Sequence, residues 1–463
     1  MTRYRFTTEV FSLPRRSGHL VYAPLLQTSL VVNDAALGLL ADVAAHRDVT
    51  RDTRSGDVLD LLEELSLIAP DGAAGTQSEA AAALPPVATA QEARAEAPQQ
   101  APAHLYAPVT PTAVTLFLTT ACNLRCTYCY ASGGERSRFL DPAVAFDAID
   151  LVVANAAAQG EADVRVSFHG GGEPTLAGDT LRQCVEHARR RSDEHGIPLR
   201  TGTATNGVMN DEMRDYLADT MTSVMVSLDG PPQVQDALRP RPGGGPSSPD
   251  VARTLARLSE GDVTLGVRLT CTDEALDHAA ETVRHLAVTY RIHTVHLEPL
   301  FLCGRSVVSG LQAPSAERFV RAYRECRQAA AEAGVDLTYS GARQSSLCHA
   351  FCQVSLPSFN VTTEGDVTAC YEITGRDDPR AGVFIYGRHD AAAGAFVFDA
   401  ERVAALRRLT VDEAPRCARC FAKYHCAGDC ASKRLFAGAD EAVIARCGIH
   451  RALTLAQLEE GMK

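Results

Sequence analysis

Residues 113–130 read AVTLFLTTACNLRCTYCY, an apolar run of strand type followed at once by three cysteines. These are Cys122, Cys126 and Cys129, separated by three and then two residues. A structural zinc site normally takes four ligands, and ferredoxin runs use four cysteines for a cluster. Three thiolates would leave one metal position open to a substrate or cofactor. The stretch therefore predicts a strand whose carboxyl end carries a metal cluster that takes part in chemistry.

This run is the first of six strand-like segments that alternate with helical patterns. The six segments are 113–120, 163–170, 199–207, 223–230, 263–271 and 293–300. Strands in βα order predict a parallel sheet with helices outside, an α/β fold that is open or closed as a partial barrel. Ligands in such folds bind beyond the carboxyl ends of the strands, where the cysteines lie.

Bulk composition excludes several kinds of partner. The formal net charge is -12, which argues against a nucleic acid or an anionic membrane surface. The opening residues MTRYRFTTEVF contain no apolar signal-peptide core, and no apolar run reaches transmembrane length. We therefore expect a cytoplasmic protein that does not bind a membrane. In a reducing compartment, the 15 cysteines favour metal ligation over disulfides.

Composition also divides the chain into four parts. Residues 71–108 are rich in Ala, Pro and Gln and predict a linker, because they cannot bury enough apolar surface to become ordered. Residues 1–70 precede it as a small domain. Residues 109–310 contain the six strands, and residues 311–463 contain a bridging helix and a cysteine-rich segment.

The first seventy residues predict a small α+β domain. Segment 19–32 has the pattern of two short strands around a turn, and segments 33–46 and 57–70 have helical periodicity. This order resembles the winged-helix peptide-recognition element in makers of ribosomal peptide natural products. Such elements bind a leader peptide as an added strand at their sheet edge. The alternative is a packing domain without a ligand. Because no cluster motif lies here, its removal is expected to leave cluster content intact.

The spacing CxxxCxxC directly after a first strand resembles that of the radical S-adenosylmethionine (SAM) enzymes, although alone it also fits zinc or chance. In that family three thiolates hold three irons of a 4Fe–4S cluster, and SAM chelates the fourth. Reduction then cleaves SAM to a 5′-deoxyadenosyl radical, which takes a hydrogen atom from the substrate. The resemblance implies a partial (β/α)6 barrel and an electron donor such as flavodoxin or ferredoxin.

Further motifs at later strand ends match the same family. FHGGGEPTL follows the second strand, ATNG ends the third and SLDGP ends the fourth. By resemblance, Glu173 accepts a hydrogen bond from the SAM ammonium, and Ser227 and Asp229 contact its carboxylate or ribose. Tyr128 would lie against adenine, and Arg268 would pair with a carboxylate or form an ordinary ion pair. The implied cofactor-binding residues are Tyr128, Gly171, Gly172, Glu173, Pro174, Asn206, Ser227, Asp229 and Arg268.

The C-terminal cysteines resemble the SPASM extension of radical SAM peptide maturases, which carries two auxiliary 4Fe–4S clusters. The resemblance implies an outer cysteine group consisting of Cys417, Cys420, Cys426 and Cys447. It also implies an inner cysteine group consisting of Cys352, Cys370 and Cys430, with Cys348 as the natural fourth ligand. If Cys348 does not ligate, the inner cluster has an open iron. The cysteines outside every pattern are read as packing residues, namely Cys184, Cys271, Cys303 and Cys326.

SPASM members act mostly on peptides, so the resemblance implies radical modification of a ribosomally made precursor peptide. We favour an oxidative intrapeptide cross-link, either a thioether or a carbon–carbon bond. The alternatives are epimerisation, dehydrogenation, formylglycine-type sulfatase maturation, or a non-catalytic iron–sulfur electron carrier. Sulfatase-type maturases carry an Asp base where this chain has Tyr371 followed by Glu372. Candidate acid/base groups are Glu298, Tyr371 and Glu372, each of which could instead be structural.

Overall fold

The predicted alternation of strands and helices is present in the computed structural model, which describes residues 2–52, 55–71, 103–343, 346–352, 358–435 and 440–461. Most of the predicted linker, residues 72–102, lies outside the described residues.

The N-terminal unit, residues 2–52 and 55–71, is an α+β domain. Its elements are β1 (Thr2–Phe6), β2 (Phe11–Pro14), β3 (His19–Ala23), β4 (Thr28–Val32), α1 (Asp34–Ala44), β5 (Asp48–Val49), α2 (Gly56–Glu64) and β6 (Ile68–Pro70). They form two three-stranded antiparallel sheets, in the orders β5-β1-β6 and β2-β3-β4. Asn33 caps α1, since its side chain accepts from the Ala36 N–H at 2.9 Å.

One prediction for this unit is corrected. The second helix was expected over 57–70, but α2 ends at Glu64 and Ser66 has a φ of 57°. Residues beyond that turn instead pair with β1, where Phe6 lies opposite Ile68. The apolar residues after Glu64 therefore include those of strand β6. Over so short a segment, the spacing of apolar residues cannot distinguish a strand from the end of a helix.

The central region contains the six predicted strands, each followed by helix. Its elements are β7 (Ala113–Leu116), α3 (Pro142–Gln159), β8 (Val164–Phe168), α4 (Gly178–His195), β9 (Leu199–Thr205), α5 (Asp211–Thr220), β10 (Ser223–Ser227), α6 (Pro232–Leu238), α7 (Ser248–Glu260), β11 (Thr264–Cys271), α8 (Asp273–Thr289), β12 (Thr294–Pro299), α9 (Ala316–Ala333) and β13 (Asp336–Thr338). Strands β7 to β13 are parallel neighbours in chain order. The predicted α/β fold with a parallel sheet is confirmed.

The cysteine-rich segment extends the same sheet. Its elements are β14 (Phe359–Val361), β15 (Asp366–Thr368), α10 (Ala381–Phe384), β16 (Ile385–Asp390), β17 (Ala395–Phe398), α11 (Ala400–Arg407), α12 (Lys423–Cys426), α13 (Ala431–Arg434) and α14 (Asp440–Glu460). Strand β14 pairs in parallel with β7, and β15 to β17 follow as antiparallel neighbours, which gives a sheet of 11 strands. The edge of the barrel next to the first cysteines thus continues into this segment.

The main core lies between this sheet and its helices. On β10, Val224 and Val226 are 0% exposed, and helices α3 and α4 contribute Ile149 and Val185. No helix in the described ranges is both long enough and apolar enough to cross a membrane.

Candidate active site

Cys122, Cys126 and Cys129 lie in the cluster loop, residues 117–134, which follows the carboxyl end of β7. All three thiols are free and half-buried. Burial raises the pKa of the Cys122 thiol to about 11 and that of Cys126 to about 12. Such thiols stay protonated by themselves and become thiolates when a metal shares the site.

Arg125 shapes this loop from within. Its guanidinium donates to the carbonyl of Cys122 at 2.9 Å and to that of Gly134 at 2.9 Å. Its backbone N–H donates to the carbonyl of Pro240 at 2.7 Å. The planar guanidinium therefore joins the start of the loop to its end.

A second arginine reaches the loop from the turn after β12, and sequence reasoning missed it. Arg305 donates from its guanidinium to the carbonyl of Cys126 at 2.8 Å and from its backbone N–H to that of Cys129 at 2.9 Å. The preceding Gly304 has a φ of 55°, and a Cβ there would lie 2.5 Å from the carbonyl oxygen of Cys129. The close approach of this turn thus needs glycine beside the arginine.

The GGEP turn after β8 packs directly on the cluster loop. The Gly172 N–H donates to the carbonyl of Thr119 at 3.0 Å. A Cβ at Gly172 would lie 2.0 Å from the carbonyl oxygen of Ala121, so no larger residue fits. Gly171 has a φ of 47°, a left-handed conformation that favours glycine. The two glycines therefore allow the GGEP turn to pack closely against the cluster loop.

Glu173 is almost fully buried and joins the GGEP turn to the end of β9. Its carboxylate accepts from the hydroxyl of Thr205 at 2.7 Å, from the N–H of Asn206 at 2.7 Å and from the hydroxyl of Thr175 at 2.8 Å. Burial raises its pKa, although these hydrogen bonds favour the charged form. A SAM ammonium would be a further partner of this carboxylate, and that contact stays a prediction. Pro174 begins the short 3-10 helix Pro174–Ala177.

Two of the three sulfurs have N–H groups nearby. The side-chain amide of Asn206 lies 3.8 Å from the sulfur of Cys122 and donates to Asn123 at 2.8 Å. The Gly133 N–H lies 3.4 Å from the sulfur of Cys129. Such donors are what cluster thiolates accept.

The loop suits a 4Fe–4S cluster better than a single ion. In the described ranges, no three His, Cys, Asp or Glu side chains converge as ligands of one metal ion. A cluster takes each thiolate on a separate iron. Thiol chemistry, N–H donors and the glycine cradle fit that group.

Asp229 lies at the centre of a buried hydrogen-bond network. Its carboxylate accepts from Arg239 at 2.8 and 3.1 Å, from the Thr270 N–H at 2.9 Å, and from the hydroxyl of Tyr128. These four donors use the usual acceptor capacity of a carboxylate. In this structure Asp229 therefore positions Tyr128, and its direct contact with SAM stays a prediction. Ser227 lies at the end of β10.

Aromatic and basic side chains gather near the carboxyl ends of β7 and β8. The ring of Tyr371 lies 5.0 Å from that of His169, and its hydroxyl is 3.5 Å from that of Thr115. Burial and the charge of Arg268 lower the pKa of His169 to about 4, and its Nδ1 has no hydrogen-bond partner among the described residues. Burial raises the pKa of Tyr130, as do Cys129 and other nearby groups. His169 precedes the GGEP motif, and that position is the signal by which the sequence could have indicated it.

Glu298 is buried, and its carboxylate is surrounded by charged and polar side chains. Its carboxylate lies 3.4 Å from Arg446, 3.7 Å from Lys433 and 3.3 Å from Nε2 of His296, and accepts from the hydroxyl of Ser340. Burial favours the neutral acid, but the His296 hydrogen bond and the two cations hold the pKa well below its usual range. An ionised, paired carboxylate is a poor general base. This environment favours the structural alternative for Glu298.

Glu372 is also paired. Its carboxylate accepts from Arg380 at 2.9 Å and from the hydroxyl of Ser432 at 3.0 Å. Ser432 follows Cys430 by two residues, so Glu372 holds together the two parts of the inner cysteine group. Among the three acid/base candidates, only Tyr371 lies beside the barrel interior with His169.

The four thiols of the outer cysteine group lie near one another in the structure, without converging as ligands of one metal ion. Burial raises the pKa of Cys426, and nearby Asp429, Cys417, Cys420 and Cys447 raise it further. Four thiols separated by up to thirty residues therefore lie within electrostatic range of each other. Their proximity agrees with one four-ligand group.

The inner cysteine group is likewise brought together. Burial and then Glu372 and Cys430 raise the pKa of Cys370, and burial, Glu372 and Cys352 raise that of Cys430. Cys348 is half-buried, and its ligation stays a prediction.

The remaining cysteines divide in two. Cys184, Cys271 and Cys326 are 0% exposed in the main core, as their reading as packing residues requires. Cys303 is buried in the turn beside the cluster loop.

The central region of the chain matches a known protein family. Residues 116–286 match the family model of the Radical SAM superfamily. The chain carries a radical SAM domain. Domains of this kind bind SAM and one 4Fe–4S cluster, and the cluster loop fits the second of these groups. The GGEP turn packs against that loop through Gly172, and its contact with SAM stays a prediction.

Three curated proteins are similar to part of the chain. An uncharacterized protein of Methanocaldococcus jannaschii is 26% identical over 171 residues, 37% of this chain and 57% of that protein. Sporulation killing factor maturation protein SkfB of Bacillus subtilis is 30% identical over 179 residues, 38% of this chain and 40% of its own length. A cysteine-type anaerobic sulfatase-maturating enzyme of Clostridium perfringens is 27% identical over 124 residues, 26% of this chain and 33% of its own. The chain thus spans less than two thirds of each relative.

Solved structures extend the likeness of fold beyond the radical SAM domain. Native anSMEcpe with bound AdoMet superposes with a TM-score of 0.56 at 15% identity, covering 76% of this chain and 96% of that one. The same protein with a bound Cp18Cys peptide gives 0.56 at 16% identity, with the same coverage. At this identity the likeness establishes the fold.

Proposed function

We propose that the chain is a radical SAM peptide maturase with two auxiliary 4Fe–4S clusters. The observation that carries the proposal is the assembly of two further groups of thiols beside a radical SAM domain. A similar relative, SkfB, is named for the maturation of a sporulation killing factor, which supports a peptide substrate. The anSMEcpe structure with a bound peptide supports it as well.

Cys122, Cys126 and Cys129 would hold the SAM-binding cluster, and when bound this pair of cofactors supplies a 5′-deoxyadenosyl radical. The chain's own residues prepare the site. Arg125 and Arg305 hold the cluster loop in shape through its carbonyls. The GGEP turn and Tyr128 would line the site next to the cluster loop. The substrate would have to place the hydrogen atom that is removed in this site. Fixed geometry of this kind supplies much of the rate in radical chemistry, because the reacting atoms start close together.

The outer and inner cysteine groups would hold the auxiliary clusters, with Cys348 as the fourth inner ligand. Strand β14 of the cysteine-rich segment pairs with β7, the strand that leads into the cluster loop, and this pairing supports auxiliary clusters near the first site. An oxidative intrapeptide cross-link removes two hydrogens from the peptide, one as an atom and one as a proton with an electron left over. An auxiliary cluster can accept that electron. Tyr371, whose ring lies beside that of His169, is the remaining acid/base candidate, and its hydroxyl would relay the proton to another base while releasing its own.

The N-terminal unit would bind the leader of the precursor at a sheet edge. Strand β4 is an edge of its sheet, since β3 is its only neighbour among the described strands. The other edge, β2, ends in Pro14, which has no N–H to offer a partner strand. Leu25 and Val31, near β4, are 44% and 50% exposed. A leader peptide that adds as a strand and makes apolar contacts therefore fits the β4 edge better than the β2 edge.

The experiment is co-expression with a small open reading frame beside this gene, followed by mass spectrometry of the peptide. Loss of two hydrogens supports a cross-link or desaturation, and fragmentation distinguishes them. An unchanged mass together with solvent-deuterium incorporation would instead indicate epimerisation. A flavodoxin or ferredoxin serves as the electron donor.

One alternative of another class is an iron–sulfur electron carrier. It predicts clusters but no SAM cleavage. Incubation of the anaerobically reconstituted protein with dithionite and SAM decides this point, since absence of 5′-deoxyadenosine would contradict the maturase proposal.

A further inference from the structure

Strand β3 of the N-terminal unit is buried on both of its faces. Val21 and Ala23 belong to the unit's own core and are 0% exposed. Leu20 and Tyr22 alternate with them and so point to the opposite side of the sheet. They are nevertheless 0% and 3% exposed. A part of the chain outside that core therefore covers the second face.

The cover includes helix α12, which lies in the cysteine-rich segment. The hydroxyl of Tyr22 lies 2.6 Å from Nε2 of His425, and the two rings stack with centroids 5.9 Å apart. Glu9, between β1 and β2, accepts from the hydroxyl of Tyr424 at 3.0 Å and forms an ion pair with Lys423. The side chains of Lys423 and Glu9 are only 6% and 14% exposed. Three consecutive residues of α12 thus contact the N-terminal unit.

The direction of the Tyr22–His425 hydrogen bond follows from a second contact. Nδ1 of His425 lies 2.7 Å from the carbonyl oxygen of Arg343. A carbonyl can only accept, so Nδ1 carries the hydrogen and Nε2 is the acceptor for the Tyr22 hydroxyl.

The same helix carries and touches cluster ligands. It follows Cys420 and ends at Cys426, and both residues belong to the outer cysteine group. Tyr424 packs in one small core with Cys417, and its carbonyl accepts from the N–H of Cys348 at 2.9 Å. A displacement of α12 would therefore move the outer group and the candidate fourth ligand of the inner group.

We propose that the N-terminal unit is a structural part of the auxiliary-cluster segment, with Tyr22 and Glu9 as positioning residues for the outer cysteine group. The inference rests on the proposed function, which assigns that group to an auxiliary cluster. The sequence predicts that removal of residues 1–70 leaves cluster content intact. The contacts with α12 lead to the opposite expectation. A peptide bound to the N-terminal unit would therefore be bound to a unit that contacts the cluster-binding helix α12.

The test compares Tyr22→Phe and Glu9→Gln with Tyr4→Phe in the full chain after anaerobic reconstitution. Tyr4 belongs to the unit's own core and its hydroxyl interacts with Glu63 of α2, so its substitution removes a hydroxyl contact within the same unit and leaves the contact with α12 in place. Total iron and the rate of iron release to a ferrous chelator are measured. Tyr22→Phe leaves Nε2 of His425 without its donor, so about a third of the iron should leave about five- to thirtyfold faster. Glu9→Gln should act in the same direction, and Tyr4→Phe should match the parent chain.

Two results would overturn the inference, and they are distinguishable. Equal release from all variants in a protein with about twelve irons, four per cluster, would contradict the positioning role alone. An iron content near four in the parent chain would contradict both the auxiliary clusters and this role. A reduction potential that shifts for one auxiliary cluster in Tyr22→Phe, but not in Tyr4→Phe, would support it independently.

Discussion

Arg239 and Asp229 form an ion pair that solvent hardly reaches. Nε of Arg239 lies 2.8 Å from Oδ2 of Asp229, and the side chains are 9% and 0% exposed. The pair joins the end of α6 to the turn after β10. Because the same carboxylate accepts from the hydroxyl of Tyr128, it also connects this turn to the cluster loop.

Asp229→Asn should destabilise the fold strongly. The substitution leaves the buried guanidinium of Arg239 without its counter-charge, which costs about 3–5 kcal/mol in comparable buried pairs. The free energy of unfolding in urea measures the effect. The matched control is Asp219→Asn, whose side chain is 66% exposed and pairs with Arg257 at 2.8 Å. That change should cost less than about 1 kcal/mol. Similar losses in the two variants would show that burial of the first pair is unimportant.

Arg305→Lys should weaken the SAM-binding cluster while leaving the fold intact. Lysine has no guanidinium fork, so it cannot donate to the carbonyls of Cys126 and Gly133 together. Loss of a contact just outside the ligands typically costs about ten- to a hundredfold in metal affinity or activity. We expect about a tenfold slower formation of 5′-deoxyadenosine, with chelator-labile iron as a second readout. Arg318→Lys is the control, since Arg318 pairs with Asp277 at the surface. Unchanged formation in Arg305→Lys would contradict the role of this contact.

Arg305 also shows where prediction from sequence stops. The cysteines and the GGEP residues form local patterns, and their place at strand ends follows from βα order. Arg305 meets Cys126 across 179 positions, and Tyr22 meets His425 across 403. Partners from distant elements leave no periodic signal. Their pairing depends on how the elements pack, which the spacing of motifs does not specify.

The added strands of the cysteine-rich segment were missed for a different reason. Strands β14 and β15 have three residues each, and every one is buried. Without alternation between apolar and polar positions, so short a run cannot be distinguished from a loop that packs against the core. The six longer segments were found because turn residues and helical patterns separate them.

Glu298→Gln should remove part of the stability that the chain gains as pH rises. The folded-state pKa of Glu298 is depressed, so its contribution is present above the usual pKa of a free carboxyl and is lost as pH falls through the folded value. At neutral pH the variant leaves Lys433 beside an uncharged amide, while Arg446 keeps its ion pair with Asp429 at 3.0 Å. The expected cost is about 1–3 kcal/mol, as for the loss of a hydrogen bond to a charged group. Urea unfolding at pH 7 and at successively lower pH should show the difference from the parent chain shrinking toward acid.

The control for this variant is Glu332→Gln at an exposed position of α9. It should leave both stability and its pH dependence nearly unchanged. A difference that persists undiminished at acid pH would mean that the charge of Glu298 is not its source. The acid/base role of Glu298 would be supported by a different result. In that case the plot of reaction rate against pH is bell-shaped for the parent chain, and Glu298→Gln loses one of its two limbs while keeping its stability.

The last prediction concerns the free edge of β4. A leader added there would place its side chains beside those of β4 on the same face of the sheet, where directly opposite residues interact. Val31 is 50% exposed on this strand and lies opposite Leu20 of β3. Val31→Asp puts a charge where the added strand needs an apolar contact, and a charge on an edge strand also discourages pairing. We expect the Kd for the precursor peptide to rise about tenfold, equivalent to about 1.4 kcal/mol. Iron content and SAM cleavage without peptide should stay the same. Val288→Asp, at a residue of α8 that is 87% exposed, is the matched control. If Val31→Asp binds the precursor as tightly as Val288→Asp does, the leader does not pair with β4, and the N-terminal unit retains only the contact with α12.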